Sequence, residues 1–287
     1  MNGFSPDGNS EHWQTVGNPE ATLNFEAAPG RIYQGPTQKI RSLSEYWFGQ
    51  AAYCPSCGHL SLDQYPANKP VADFFCSRCG EQFELKSQGR AFGAKVSDGA
   101  YRTMIERLMS STNPNLFLLQ YDPHRLAVIN LLVIPKYFFI PGLVQQRTPL
   151  AQTARRAGWI GCNILLAGIP EVGRIFLIKD QIFQPRQIVH EKWRQTNFLK
   201  DQPDIGAKGW LLCVLRCIDR IRSDQFTLEQ CYKFEQDIRT AYPNNRHIRE
   251  KIRQQLQILR DKGYLEFCGR GTYRLVRNHP LEPIRLS

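Results

Sequence analysis

The stretch Val71-Ala-Asp-Phe-Phe-Cys-Ser-Arg-Cys-Gly-Glu-Gln-Phe-Glu-Leu-Lys86 sets a Cys-x-x-Cys pair between two carboxylates, Asp73 and Glu84, within sixteen consecutive residues. A second pair lies upstream, and eighteen residues separate Cys54-x-x-Cys57 from Cys76-x-x-Cys79. With this spacing four thiolates can close a tetrahedron around zinc, each pair supplying one edge. Gly58 and Gly80 follow the two pairs directly, where a tight knuckle asks for backbone that glycine adopts without strain. A zinc with all four ligands from the protein has no position left for a substrate, so the expected role is structural.

On an extended chain alternate residues share a face, so Gln82, Glu84 and Lys86 point one way and Phe83 and Leu85 the other. Hydrolysis of a phosphodiester asks for a cation that offsets charge at phosphorus and for an activated water. Two carboxylates and a lysine on a sheet edge can supply both. Asp73 and Glu84 are the expected magnesium ligands, with the Leu85 carbonyl as a third. Lys86 would orient or help deprotonate the water. Pro70, Asp73, Glu84 and Lys86 fit the pattern P-D-(x)n-E-x-K, with two residues inserted between proline and aspartate. An E-x-K triplet on an exposed strand is also commonly a solvated ion pair, and the triplet alone leaves both readings open.

The rest of the chain favours a polyanionic partner. Its 287 residues are 42% hydrophobic and 22% charged, with a formal net charge of +11, enough chain for two domains with their own cores. Residues 1–196 carry twenty basic against fifteen acidic side chains, and residues 197–287 seventeen against eleven, so the surplus is not confined to a tail. Surplus Lys and Arg attract a phosphate backbone, although acidic proteins satisfy the same arithmetic. No apolar run approaches the ~20 residues of a membrane span, and no membrane partner is expected. The N-terminus lacks the basic start and apolar run of a secretory signal. The nine cysteines are therefore expected in a reducing compartment, as metal ligands or core residues rather than disulfides.

Residues 1–38 are expected to be a flexible extension, 39–200 an α/β domain with alternating strands and helices, and 205–278 a winged helix. In the first domain SLSEYWFGQAAY and PRQIVHEKWRQ are expected helices, and SDGAYRTMIERLMSS a helix capped by Ser97 or Asp98. Leu116–Tyr121, Leu126–Ile134 and GRIFLI are expected strands. In the second, three helices are expected: GWLLCVLRCIDRI, one opened by the capping-box spacing Thr227-Leu-Glu-Gln230, and one from about Asn245 to Gly263. A hairpin turning at Cys268–Gly271 would follow. Cys162, Cys213, Cys217, Cys231 and Cys268 are expected core residues.

The segments YCPSCG, PVADFFCSRCGEQFELKS, SDGAYRTMIERL, LAQTARRAGWIGCNI, GRIFL and IREKIRQQLQILRDKGYLEFCGRGTYR resemble the DpnI restriction endonucleases, in order, from about Ile40 to Leu275. The resemblance implies an α/β PD-(D/E)xK nuclease core with a four-cysteine zinc knuckle, followed by a C-terminal winged helix. It also implies Mg-dependent cleavage of double-stranded DNA at GATC sites carrying 6-methyladenine, with both domains reading the site. It implies a cytoplasmic, prokaryotic enzyme without an obligate protein partner. Asp73, Glu84 and Lys86 correspond to the catalytic set, and Cys54, Cys57, Cys76 and Cys79 to the zinc set.

Recognition of a methylated adenine asks for an apolar slot in the major groove beside groups that confirm the base edges. Trp159 can offer the flat wall, and Arg155 and Arg156 can grip phosphate or guanine; the alternative is a core tryptophan beside solvated arginines. In the last helix Ile248, Ile252, Leu256 and Leu259 form the inward stripe. Asn245, Arg246, Arg249 and Arg253 are left as groove candidates and Arg270 in the hairpin turn as a backbone contact. A merely solvated basic face is the alternative there. Two other functions fit the residues: a non-catalytic zinc and winged-helix DNA-binding regulator, and a nuclease of the same fold with a different specificity.

Overall fold

The computed structural model describes residues 22–26, 35–66, 72–110, 112–202 and 204–276. In chain order the elements are α1 (Pro36–Ala51), β1 (Asp63–Gln64), β2 (Phe74–Phe75), β3 (Gln82–Gln88), β4 (Val96–Ala100), α2 (Tyr101–Ser110), β5 (Asn115–Asp122), β6 (Ala127–Ile134), β7 (Val144–Gln146), β8 (Gly161–Ile164), β9 (Ile175–Lys179), β10 (Ile182–Phe183), α3 (Arg186–Gln195), α4 (Asn197–Lys200), α5 (Ile205–Ile221), β11 (Gln225–Thr227), α6 (Leu228–Tyr232), α7 (Glu235–Ala241), α8 (Ile248–Asp261), β12 (Leu265–Gly269) and β13 (Thr272–Leu275). They form two compact units that interleave along the chain. One takes the described residues up to Gly93, with Ser110–Lys136 and Arg174–Arg194; the other takes Ala94–Met109, Tyr137–Gly173 and those from Gln195 onward.

The first unit is built on a seven-stranded sheet in the order β1-β2-β3-β5-β6-β9-β10. β5, the apolar run NLFLLQYD, is parallel to β3, with Leu116 opposite Glu84 and Leu118 opposite Lys86. On its other side it pairs antiparallel with β6. The turn between β5 and β6 is closed by Asp122 Oδ1, which accepts from the amides of His124 at 2.8 Å and Arg125 at 3.1 Å. α1 starts with Pro36 in its first turn, where a missing N–H costs nothing. Its buried Leu43, Trp47, Phe48 and Ala51 lie at the spacing of one helix face. The Phe48 ring stands 4.6 Å from that of Phe74 and 4.8 Å from that of Phe117. Each such fully buried ring contributes roughly 1.5–3 kcal/mol of transfer free energy.

Thr22–Glu26 departs from the expected extension. Asn24 bridges to Ala127, the Val128 amide donates to the Leu23 carbonyl at 2.8 Å, and the buried Phe25 ring lies 5.5 Å from Tyr121. An apolar side chain in a polar stretch found a strand to pair with and a ring to bury against. The rest of residues 1–34 lies outside the described residues.

The second unit holds two small sheets, β4-β8-β7 and β11-β13-β12. Ser97 and Asp98 do not cap a helix, because Val96–Ala100 is a strand paired with β8 and α2 begins only at Tyr101; long-range strand pairing overrode the local cap signal. α5 starts at Ile205, ahead of the expected Gly209, with Asp204 Oδ1 accepting from the Ala207 amide. The Thr227 capping box forms in full: its Oγ1 accepts from the Gln230 amide at 3.3 Å, and Gln230 Oε1 accepts from the Thr227 amide at 2.7 Å. That helix is only α6, because the chain breaks at Lys233-Phe234 and resumes as α7, a helix the sequence did not announce. α8 begins at Ile248, so Asn245 and Arg246 precede it. Its expected stripe of Ile248, Ile252, Leu256 and Leu259 is buried. The hairpin β12–β13 turns at Arg270-Gly271, both at positive φ (48° and 73°), the turn whose twist suits a two-residue hairpin. Cys162, Cys217 and Cys231 are core residues, Cys213 is partly buried, and Cys268 on the hairpin is exposed rather than core. Among the described residues no helix is long and apolar enough to cross a membrane.

Candidate active site and metal centre

The Cys54–Cys57 turn follows α1, and the Cys76–Cys79 turn links β2 to β3. Both knuckles close in the same way: the Gly58 amide donates to the Cys54 carbonyl and the Gly80 amide to the Cys76 carbonyl, each at 2.8 Å. Gly58 and Gly80 lie at φ 72° and 74°, the left-handed region expected of them. The two turns bring the sulfurs together, with Cys54 Sγ 3.6 Å from Cys79 Sγ and Cys57 Sγ 3.6 Å from Cys76 Sγ. All four lie within 4.8 Å of one another. A tetrahedron with metal–sulfur bonds of about 2.3 Å has edges of about 3.8 Å, so the four cysteines fit a metal ion such as zinc. Burial pushes the Cys54 thiol up and the Cys79 thiol up to about 11; a cation among the sulfurs offsets that cost of gathering them as thiolates.

The same hairpin positions the carboxylates. β2 and β3 pair antiparallel with Phe74 opposite Phe83 and Phe75 opposite Gln82, and the Asp73 amide donates to the Phe83 carbonyl at 3.0 Å. Asp73, one residue ahead of β2, therefore lies against β3 at Phe83–Leu85, the stretch that carries Glu84. Asp73 Oδ2 accepts from the Leu85 amide at 2.8 Å, and Lys86 Nζ donates to Glu84 Oε1 at 2.6 Å. The Glu84 and Lys86 side chains keep 25% and 20% of their exposure, so the pair is half-buried yet open to a ligand. Two carboxylates and the neighbouring strand carbonyls are hard oxygen donors, the set a magnesium ion takes. Pro70 and Val71 lie outside the described residues.

A network that the sequence did not reveal braces β3. Asn115, fully buried at the start of β5, donates through Nδ2 to Glu81 Oε2 and to the Gln82 carbonyl, both at 2.8 Å, and its Oδ1 accepts from the Lys136 amide at 2.9 Å. Lys136 Nζ completes the ring on Glu81 Oε2 at 3.0 Å. Glu81 is the residue after Gly80, so this network ties the exit of the cysteine turn to the first residue of β3. Toward the other end of β3, Ser44 Oγ of α1 lies 3.0 Å from Ser87 Oγ.

A model of the DpnI family, described as the Dam-replacing family, matches residues 21–202, and a model of the Dam-replacing HTH domain matches residues 206–275. The chain belongs to the DpnI family. As in that description, the C-terminal part of this DpnI-family protein is a helix-turn-helix domain, a DNA-binding element, and its α8 presents the basic side chains.

Those side chains are not equivalent. Arg249 Nε donates to Glu235 Oε2 at 2.7 Å, Arg239 donates to the other oxygen at 2.9 Å, and the Arg249 guanidinium lies 4.8 Å over the Tyr232 ring. The hydrogen bonds from Arg249 and Arg239 hold the Glu235 carboxyl below its usual range. Arg249 is thus a strut between α7 and α8. Arg253 lies 3.7 Å from Glu250, and Asn245 Oδ1 accepts from the His247 amide at 2.8 Å, shaping the approach to α8. Arg246 and Arg270 are exposed. In the same unit Trp159 is half-buried and Arg155 exposed, while the Arg156 guanidinium stacks 4.6 Å over the Trp159 indole. The indole is therefore not plain core.

Proposed function

We propose that this DpnI-family protein is a methylation-dependent type II endonuclease that hydrolyses DNA at GATC sites carrying 6-methyladenine, with magnesium at Asp73 and Glu84. The observation that carries the reading is the placement of the Asp73 carboxylate on the amide of Leu85, the residue after Glu84, with Lys86 Nζ on Glu84. Magnesium, when bound, offsets charge at the scissile phosphate and makes a hydroxide available near neutral pH. Asp73, Glu84 and the Leu85 carbonyl would hold it. The hydrogen bond from the Leu85 amide fixes one carboxylate, and Lys86 fixes the other. Lys86 would orient the attacking water and stabilise the charge that develops on phosphate. The four-cysteine centre keeps a structural role, and the helix-turn-helix domain supplies a second reading surface. The site of action is the cytoplasm of a prokaryote. Trp159 supplies the apolar wall for the methyl, and Arg155, Arg156, Arg246 and Arg270 supply phosphate or base contacts.

One assay tests the reading: plasmid from adenine-methylating and from non-methylating hosts, incubated with the protein and magnesium. Cutting of the methylated plasmid alone, abolished by EDTA, is the expected result. Cutting of both indicates a nuclease of other specificity, and binding without cutting a non-catalytic regulator.

A further inference from the structure

The outer face of the β4-β8-β7 sheet carries a polar row that the functions above leave unused. Ser97, Asn163 and Gln145 are register partners across the three strands. Ser97 Oγ donates to Asn163 Oδ1 at 3.3 Å, and Asn163 Nδ2 donates to Gln145 Oε1 at 3.4 Å. The adjacent row, Val96, Ile164 and Val144, is buried on the opposite face, as is Cys162. The outer row therefore serves no core. Each bond uses only one hydrogen of Asn163 Nδ2 or one lone pair of its Oδ1, so Asn163 keeps a donor and an acceptor for an incoming partner while the row holds it in place.

What stands beside the row points to the partner. Gly161 lies two residues before Asn163 on β8 and so shares its face. A Cβ on Gly161 would come within 2.8 Å of two atoms of the Trp159 indole and 3.5 Å of Arg147 Cδ. Trp159 and the stem of Arg147 thus cover the same face, roughly 6–7 Å along the strand from the amides. The segment from β7 to β8 that carries Arg147, Arg155 and Arg156 contains no acidic residue. An indole plane, two amides and a hydroxyl on one small sheet, with Arg147 and Arg156 against the indole side, are the materials of major-groove recognition: cations for phosphate, amides for base edges.

We propose that Asn163, oriented by Ser97 and Gln145, is a specificity-determining residue that hydrogen-bonds the major-groove edge of the base pair adjoining the methylated adenine. The proposal rests on the reading of Trp159 as the methyl contact. The methylated amine has lost one of its two hydrogens, so a side-chain amide finds its complementary donor and acceptor pattern on the neighbouring pair instead. Ser97 and Gln145 hold the Asn163 rotamer in advance, which reduces the ordering cost of the contact.

The test uses the full chain and competition binding in calcium, so that catalysis is not required. Duplexes carry a fixed methyladenine, or the same site unmethylated, and each adjoining base pair is replaced in turn. Asn163→Ala is expected to reduce discrimination at one adjoining pair by about tenfold, with zinc content and thermal midpoint unchanged. Gln145→Ala should weaken the same discrimination to a smaller extent. Asn163→Asp, which only accepts hydrogen bonds, should shift the preference at that pair toward a base with an exocyclic amine. Profiles of Asn163→Ala and Asn163→Asp that superimpose on the wild type overturn the proposal. A wild type that ignores the methyl yet loses flanking discrimination in Asn163→Ala would overturn the methyl reading and leave Asn163 as a base reader.

Discussion

The carboxylate of Asp73 accepts a hydrogen bond from the backbone amide of Leu85 at 2.8 Å, so one acidic side chain is held by the backbone next to the other, Glu84. Between them in the chain stands the Cys76–Cys79 turn. Two of the four clustered cysteines and the candidate catalytic pair therefore share one stretch of chain, and the consequences can be measured.

Glu84→Gln keeps the shape of the side chain and removes its charge. Cleavage is expected to fall at least roughly a thousand-fold, because a metal-supplied stabilisation of several kcal/mol is lost. DNA binding in a gel shift should stay within a few-fold. A Glu84→Gln protein that cuts at the wild-type rate would remove Glu84 from the active site.

Cys76→Ser removes one sulfur from the turn that joins β2 to β3. Bound zinc should drop from one equivalent toward none, and cleavage should fall with it, since Asp73 and Glu84 lose the closure that spaces them. Metal analysis beside a cleavage assay checks this. Full activity in a zinc-free, folded variant would show that the two sites are merely neighbours.

Asn115→Ala leaves Glu81 and the Lys136 amide without their buried partner. Unsatisfied groups of this kind cost about 1–3 kcal/mol each, and the thermal midpoint should fall by several degrees. A midpoint unchanged in calorimetry would mean that water replaces the amide without loss.

Glu235→Gln weakens the hold on Arg249 and removes a negative charge from a basic face. Affinity for DNA should rise, most at low salt, while Arg246→Ala should lower it and reduce the salt slope of log K by about 0.9. Binding isotherms across a salt series separate the two. Equal losses in both variants would place Glu235 in direct contact with the duplex rather than in restraint of Arg249.

Trp159→Ala takes away the indole that stacks under Arg156. The ratio of cleavage on methylated to unmethylated DNA should drop by about tenfold, an apolar contact of about 1–3 kcal/mol, with zinc retained. An unchanged ratio would assign methyl recognition to other residues.

Local patterns determined much of this protein without help from the fold. The spacing of two Cys-x-x-Cys pairs was enough to assemble four sulfurs, because each knuckle closes on its own glycine. The Thr227 capping box and the Ile248, Ile252, Leu256 and Leu259 stripe also formed as written, since their partners lie within one or two turns. The apolar runs became β5 and β6 because such stretches must be covered on both faces. Other features were settled only when distant segments met. Ser97 and Asp98 carry a helix-start signal, yet β8 claimed them for a strand. Phe25, in a polar stretch, was claimed by Trp47 and Tyr121. Arg249 is indistinguishable from Arg246 in sequence until Glu235, fourteen residues away, engages one of them. The ring of Asn115, Glu81 and Lys136 and the row of Ser97, Asn163 and Gln145 have the same origin. Hydrogen-bond partners far apart in the chain leave no periodic trace, so only the tertiary structure decides which polar side chains are occupied and which face a ligand.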